Sequence, residues 1–184
     1  MEFIKTGLSG VVLIKPQLFG DSRGYFAELW SRAEFEKAGL NYDFIQSNHS
    51  FSAARGTLRG IHFQRGDAAQ AKLVRCVRGA VRDVTVDLRR SSPTYGQWEA
   101  FTLSEENNYQ LLIPRGFGHA FITLTDNVDF AYMVDNPYAP HCEGSIRWDD
   151  PTLRIDFGTA APILSEKDRT APLFKDAVTG FESW

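Results

Sequence analysis

Between residues 71 and 134 the chain alternates short β-forming runs with breaks marked by Gly and Pro, and this punctuation limits the fold more than any other feature. Residues 71–77 are rich in β formers and end at the turn Arg78-Gly79. Val84-Thr85-Val86-Asp87-Leu88 alternates apolar and polar side chains with the period of two that a half-buried strand requires. Ser91-Ser92-Pro93-Thr94 breaks the chain, residues 97–103 resume a strand, and residues 109–113 form another that Pro114 stops. Residues 121–124 continue the pattern. In 128–134, Val128, Phe130, Tyr132 and Val134 share one face, while Asp129, Ala131 and Met133 share the other. Helical signal is confined to two stretches. Residues 31–38 have Ser31 as N-cap, Glu34 completing a capping box and Gly39 closing the helix; Ser165 caps a second short turn at Glu166-Lys167-Asp168. Many short strands with so little helix predict an all-β sandwich or small barrel, and the jelly roll is the version whose mouth can hold a ligand.

The 184 residues suit one domain, 1–184, with a sizeable core. A hydrophobic content of 43% with 13% aromatics excludes a disordered chain. The formal net charge of -3 gives no pull toward nucleic acid or a membrane surface, so an anionic ligand must rely on a few local cations. No run approaches the roughly 18 apolar residues of a membrane span. The first residues, with Val11-Val12-Leu13-Ile14 as their apolar stretch, lack the pattern of a signal peptide. Cys76, in a strand-like run, and Cys142, in a Pro-rich loop, do not make a disulfide framework; two reduced thiols in a cytoplasmic protein are expected.

The chain has four histidines, and two stand in similar settings. Leu58-Arg59-Gly60-Ile61-His62-Phe63-Gln64 and Pro114-Arg115-Gly116-Phe117-Gly118-His119 each place a histidine near turn punctuation, aimed at what a barrel would make a single mouth. The second segment fits Pro-x-Gly-x-x-His, a spacing that resembles the second motif of the cupins, a jelly-roll superfamily. Many cupins hold a metal with a His-x-His pair, a following acid and the histidine of that motif. Here the pair reads His62-Phe63-Gln64, and the acid position falls at Ala68 or Ala69. A weak donor and a non-donor thus replace two ligands, and neither a metal nor an organic cofactor is expected. Around His62 remain Arg59, Lys72, His119 and Tyr132. Histidine accepts a proton near neutrality, tyrosine donates one, and lysine stabilises a developing oxyanion. Each of these alone is more often a core or solvated side chain. Together they suit removal and return of a proton beside a carbonyl.

Motifs spread over residues 10–173 carry a wider resemblance. Phe19-Gly20-Asp21-Ser22-Arg23-Gly24, Gln46-Ser47-Asn48-His49-Ser50, residues 58–64 and Lys72-Leu73-Val74-Arg75-Cys76 come first. Ser92-Pro93-Thr94-Tyr95-Gly96-Gln97-Trp98, residues 113–121, Glu143-Gly144-Ser145-Ile146 and residues 164–173 follow. In this order they resemble the dTDP-4-dehydrorhamnose 3,5-epimerases, nucleotide-sugar epimerases of the cupin superfamily. The resemblance implies a cupin-type jelly roll, a place in deoxysugar biosynthesis of the dTDP-rhamnose type, and roles for particular residues. His62 matches the general base that removes the proton beside the C4 ketone, and Asp168 the carboxylate paired with it. Tyr132 matches the general acid on the opposite face of the sugar, and Lys72 the cation near the C4 oxygen. Arg59, His119 and Arg23 match substrate contacts, the arginines suiting the diphosphate. The resemblance also implies a homodimer in which Arg23 reaches the neighbouring subunit's site. Glu28, Gln46, Asn48, Glu143 and Lys167 match further polar contacts, and Tyr138 the ring that stacks on thymine. The implied partners are a dTDP-linked sugar and a second copy of the chain, with no nucleic acid and no membrane.

Two positions depart from the family's commoner pattern: Arg115, where an acid is frequent, and Gly118, where Ala is frequent. They leave the exact sugar and the number of inverted centres open. Three readings stand: a 3,5-epimerase, a single-centre epimerase acting at C3 or C5 of another nucleotide-linked 4-keto sugar, and a non-catalytic jelly roll that only binds a sugar nucleotide. His62, Tyr132, Lys72 and Asp168 in combination argue against the last, because a pure binder needs no proton shuttle.

Overall fold

The computed structural model describes residues 1–182. The N-terminal strands are β1 (Glu2–Lys5), β2 (Val12–Lys15), β3 (Leu18–Asp21), β4 (Gly24–Ala27) and β5 (Gln46–Ser52). The middle of the chain forms β6 (Leu58–Gln64), β7 (Lys72–Arg78), β8 (Ala80–Asp87), β9 (Trp98–Ser104), β10 (Gln110–Ile113), β11 (Phe117–Thr123), β12 (Val128–Val134) and β13 (Glu143–Ser145). The described residues also form two short α-helices, α1 (Arg32–Lys37) and α2 (Glu166–Arg169), and three single turns of 3-10 helix. One antiparallel sheet runs β1-β2-β10-β7-β12-β5, a second runs β13-β6-β11-β8-β9, and β3 with β4 makes a separate hairpin. Sequence neighbours are repeatedly sent to opposite sheets, which is the wiring of the expected all-β jelly roll.

Alternation along the strands decides what lies between the sheets. Val74 and Cys76 of β7, Leu111 of β10 and Phe130 of β12 pack against Val81, Leu103, Phe117 and Phe121 of the other sheet. The far face of the five-stranded sheet buries Leu58, Phe63, Val84, Val86 and Ile122 beneath Phe157, Phe174 and Phe181 of the C-terminal segment. The far face of the six-stranded sheet, through Val12, Ile14, Leu73 and Leu112, is covered by Phe35 of α1. Burying a ring such as Phe35 contributes roughly 1.5–3 kcal/mol, which holds a helix too short to persist alone.

The predicted runs reappear as β7 to β12 with ends moved by a residue or two, except that β8 begins at Ala80, four residues before the run at Val84, and that 121–124 proves to be the end of a longer strand already containing His119. The helix expected over 31–38 is α1, but its capping box does not form. Ser31 makes no side-chain cap bond, and the Glu34 carboxylate instead takes Lys37 Nζ at 2.7 Å. The cap at Ser165 does form, its Oγ accepting from the Asp168 N–H at 3.1 Å. At Gly60, where β6 runs against β11, φ is +123° and a Cβ would lie 2.6 Å from Ala120 Cα, so only glycine fits. The register shifts beside this point, and His119 becomes the direct cross-strand partner of His62. Cys76 and Cys142 are both free thiols. Among the described residues no helix is long and apolar enough to cross a membrane.

Candidate active site

Strands from both sheets enclose a cavity of about 410 Å³. The five-stranded sheet supplies Arg59 and His62 from β6 and His119 and Phe121 from β11; the six-stranded sheet supplies Lys72 from β7, Phe130 and Tyr132 from β12 and Ser50 from β5. Ile163, Leu164, Ser165, Lys167 and Asp168, the approach to α2 and part of that helix, form a further wall. The two histidines picked out by their turn settings therefore do meet in one mouth, because β6 and β11 are hydrogen-bonded neighbours.

His62 Nε2 lies 2.5 Å from Asp168 Oδ1. The carboxylate is buried, its side chain 4% exposed, while the ring is 31% exposed toward the cavity. Burial by itself would raise the Asp168 pKa, but hydrogen bonds with His62 and Ser165 and from the Gly60 N–H bring it below the usual carboxylate range. Asp168 is thus an anion that accepts from His62 Nε2–H. That bond selects the tautomer whose other ring nitrogen, Nδ1, can take up a proton.

Lys72 sits across from this pair, its Nζ 5.9 Å from the centre of the Tyr132 ring. Burial lowers its pKa to about 8 against the opposing pull of Asp83 and Glu143. Burial also raises the Tyr132 pKa, with Arg59 working the other way, so the phenol keeps its proton at neutral pH. His119 stacks on Phe130 at 6.1 Å, and its Nε2 lies 2.8 Å from Asp83 Oδ2 in the interior. Arg59 is tied to β5, donating to Ser52 Oγ and to the Phe51 carbonyl. Lys167 pairs with Glu143 at 2.5 Å, and the Tyr138 hydroxyl donates to the other Glu143 oxygen at 3.2 Å. Burial acts to raise the Glu143 pKa, but Lys167 outweighs it and the carboxyl is held below its ordinary value.

The donor set does not fit a cupin metal. The Gln64 amide, at the position of the second histidine of the metal motif, is spent on the chain: Nε2 donates to the Ala68 and Pro137 carbonyls and Oε1 accepts from the Ala139 N–H. It fastens the 137–139 loop to β6. Among the described residues no cluster of three or more His, Cys, Asp or Glu side chains is placed to hold a metal ion.

Arg59, His62, Lys72, His119, Tyr132, Lys167 and Asp168 line the cavity, and Glu143 adjoins it through Lys167. Gln46 and Asn48 point to the inner side of β5, bonded to each other at 2.8 Å, with Asn48 opposite Tyr132; they do not line the cavity. Tyr138 is 56% exposed on its loop. Arg23, at the tip of the β3–β4 hairpin, is 87% exposed and held by Asp21, and Glu28 is exposed beyond β4. Neither reaches this chain's own cavity. Arg115 lies outside it too, paired with Asp135 at 3.0 Å, and at Gly118 a Cβ would lie 2.6 Å from Ile61 Cγ2. Sequence reasoning missed Asp83. Extending the period of two back from Val84 would have placed Asp83 with Thr85 on one face of β8, as the structure does.

The model of the dTDP-4-dehydrorhamnose 3,5-epimerase family matches residues 5–176. A curated relative, the dTDP-4-dehydrorhamnose 3,5-epimerase of Salmonella typhimurium, is 47% identical over 180 residues, covering 97% of this chain and 98% of its own length. The structure of the same-named protein from Bacillus anthracis, with TDP and PPi bound, superimposes with a TM-score of 0.92 at 43% identity, over 94% of this chain and 98% of that one. That of dTDP-6-deoxy-D-glucose-3,5-epimerase from Legionella pneumophila, in complex with dTDP-4-keto-L-rhamnose, gives 0.90 at 41% identity, over 95% and 93%. A jelly roll with a histidine–carboxylate pair in its mouth, matched at this identity over nearly its whole length, belongs to the dTDP-4-dehydrorhamnose 3,5-epimerase family of cupin-type isomerases.

Proposed function

We propose that this chain epimerises a dTDP-linked 4-keto-6-deoxyhexose at C3 and C5, the carbons flanking its C4 ketone. One observation carries the reading: His62 and Tyr132 stand on different sheets yet line one cavity, with Lys72 beside Tyr132. Inversion needs a proton taken from one face of a carbon and another delivered to the opposite face, and two groups on facing walls can do this within one bound pose.

In this mechanism the Nδ1 lone pair of His62 takes the proton next to the ketone. The electron pair of that C–H bond moves into the C–C bond, and the carbonyl pair moves onto the C4 oxygen. Asp168 stabilises the imidazolium that forms. The Lys72 ammonium stabilises the enolate more than the ketone, and that difference lowers the barrier. Tyr132 then gives its phenol proton to the other face of the carbon, the C4 ketone reforms, and proton exchange with solvent returns His62 to the neutral ring and Tyr132 to the phenol before the second carbon reacts. Arg59 is the cavity-lining arginine that suits a diphosphate on a chain of net charge -3, and His119 and Lys167 are assigned as substrate contacts beside it. Gln46, Asn48, Glu28 and Glu143 are assigned as further polar contacts, and Tyr138 as the stacking ring for the base.

The reading includes a homodimer of chains that each fold as one unit. Phe19, Tyr25 and Phe26 on the β3–β4 hairpin are 60%, 56% and 69% exposed, and Phe51 and Ile45 add 50% and 59%. Two strands bearing such rings are marginal in water, and a second copy gives them cover. Arg23 at the hairpin tip then enters the partner's cavity.

Turnover of dTDP-4-keto-6-deoxyglucose in D2O, followed by NMR, tests the activity. Deuterium is expected at both C3 and C5. Label at one carbon would make the chain a single-centre epimerase, and label at neither would make it a binding protein.

A further inference from the structure

We infer that Asp83 is a positioning residue of this site: a single buried carboxylate beneath the cavity fixes the His119 ring by a hydrogen bond and acts as the counter-charge of Lys72. Asp83 is fully buried on β8, among the apolar side chains that fill the space between the sheets. Its Oδ2 meets His119 Nε2 at 2.8 Å, while its Oδ1 has no hydrogen-bond partner among the described residues. Thr85 Oγ1, two residues along the same face, is also buried and unpaired. A carboxylate in such a place is costly, and an apolar residue of similar volume would serve packing better. An acid whose only direct partner among the described residues is a cavity-lining histidine is therefore explained by the cavity rather than by the core.

Two effects follow from its charge. In its ionised form the carboxylate makes Nε2 the donor of His119, leaving Nδ1 as the atom open to a ligand. It also opposes the desolvation of Lys72. The titratable and charged groups facing Lys72 are Tyr132 from β12, Asp83 from β8, His119 from β11, His62 and Arg59 from β6, Glu143 from β13, and Asp168 and Lys167 from α2. Of the three acids, Asp168 is taken up by His62 and Glu143 by Lys167. Asp83 contributes the largest electrostatic support to the Lys72 ammonium, and burial raises the Asp83 pKa above the usual carboxylate range, with His119 and Lys72 acting against it.

The inference rests on the role proposed for Lys72, and its test separates the two. Asp83→Asn keeps the shape and an acceptor for His119 but removes the charge. Lysine-ε-13C NMR, with the Lys72 signal assigned from Lys72→Arg, gives the titration midpoint of the ammonium without any turnover. The midpoint is expected near 8 in the parent protein and lower by about one pH unit in Asp83→Asn. The alkaline limb of kcat is expected to move with it. A midpoint unchanged within 0.2 units, an approximate threshold of about a tenth of the range such charges produce, overturns the inference. Asp83→Ser, smaller but still an acceptor, serves if the amide variant does not fold. Failure of both to fold would make Asp83 a structural residue and overturn it as well. Absence of deuterium incorporation by the parent protein would defeat the epimerase reading alone, leaving the NMR result to stand.

Discussion

On the proposed roles a proton leaves through His62 and returns through Tyr132, so the two residues fail differently when replaced. His62→Ala removes the acceptor and should abolish both turnover and deuterium exchange while dTDP-sugar binding, read by calorimetry, stays within a few-fold. Tyr132→Phe removes only the donor. Turnover should fall about 10²–10⁴-fold while exchange at C3 and C5 in D2O persists. Exchange that collapses together with turnover would disprove the acid role. Lys72 gives the pH dependence. Its pKa is lowered to about 8, so it is charged below that value and loses its proton as pH rises through it. Activity should therefore decline above pH 8. In Lys72→Arg, where the cation cannot titrate in this range, that limb should disappear even though the absolute rate is lower.

Among the elements, α2 shows how local chemistry sets the site. Four residues make no stable helix by propensity, and this one is held by its cap and by the burial of Asp168. Ser165→Ala removes the bond to the Asp168 N–H and should cost about 1 kcal/mol of stability, read as a drop in Tm of a few degrees. Because Asp168 is part of that turn, kcat should fall several-fold more than KM rises. An unchanged kcat would show that the carboxylate is placed by other contacts. This cap was legible in the sequence because the Ser at the helix start and the Asp amide three residues on are local partners. The same logic failed at Ser31, where Glu34 found Lys37 on its own helix face, a competitor that the capping pattern does not rank. Strands β7 to β12 were legible because their period of two and their Gly/Pro breaks are local. Strands β1 to β5 were less legible: short, largely exposed hairpin strands such as β3 and β4 carry no clear alternation.

For the whole molecule, the test is whether the site is completed across two chains. Arg23→Ala and His62→Ala proteins should each be impaired alone. When they are mixed and allowed to exchange subunits, one of the two sites in each mixed dimer regains both groups. Random pairing then restores about a quarter of the parent activity. No recovery on mixing, or a monomer by sedimentation, would remove Arg23 from the site. The exposed rings of the hairpin give the complementary readout: Phe26→Lys should weaken the dimer without touching the cavity lining.

The sequence by itself determined the β architecture, the two histidine segments, the cap that holds α2 and the loss of the metal-ligand pattern at Gln64 and Ala68. All of these depend on residues within a few positions of one another. Tertiary structure decided which side chains share a cavity. The pairing of His62 with Asp168 spans 106 residues, and that of His119 with Asp83 crosses between strands 36 residues apart. Only the folding of two sheets face to face sets such distances, because burial and charge between remote segments arise from packing and leave no period in the chain.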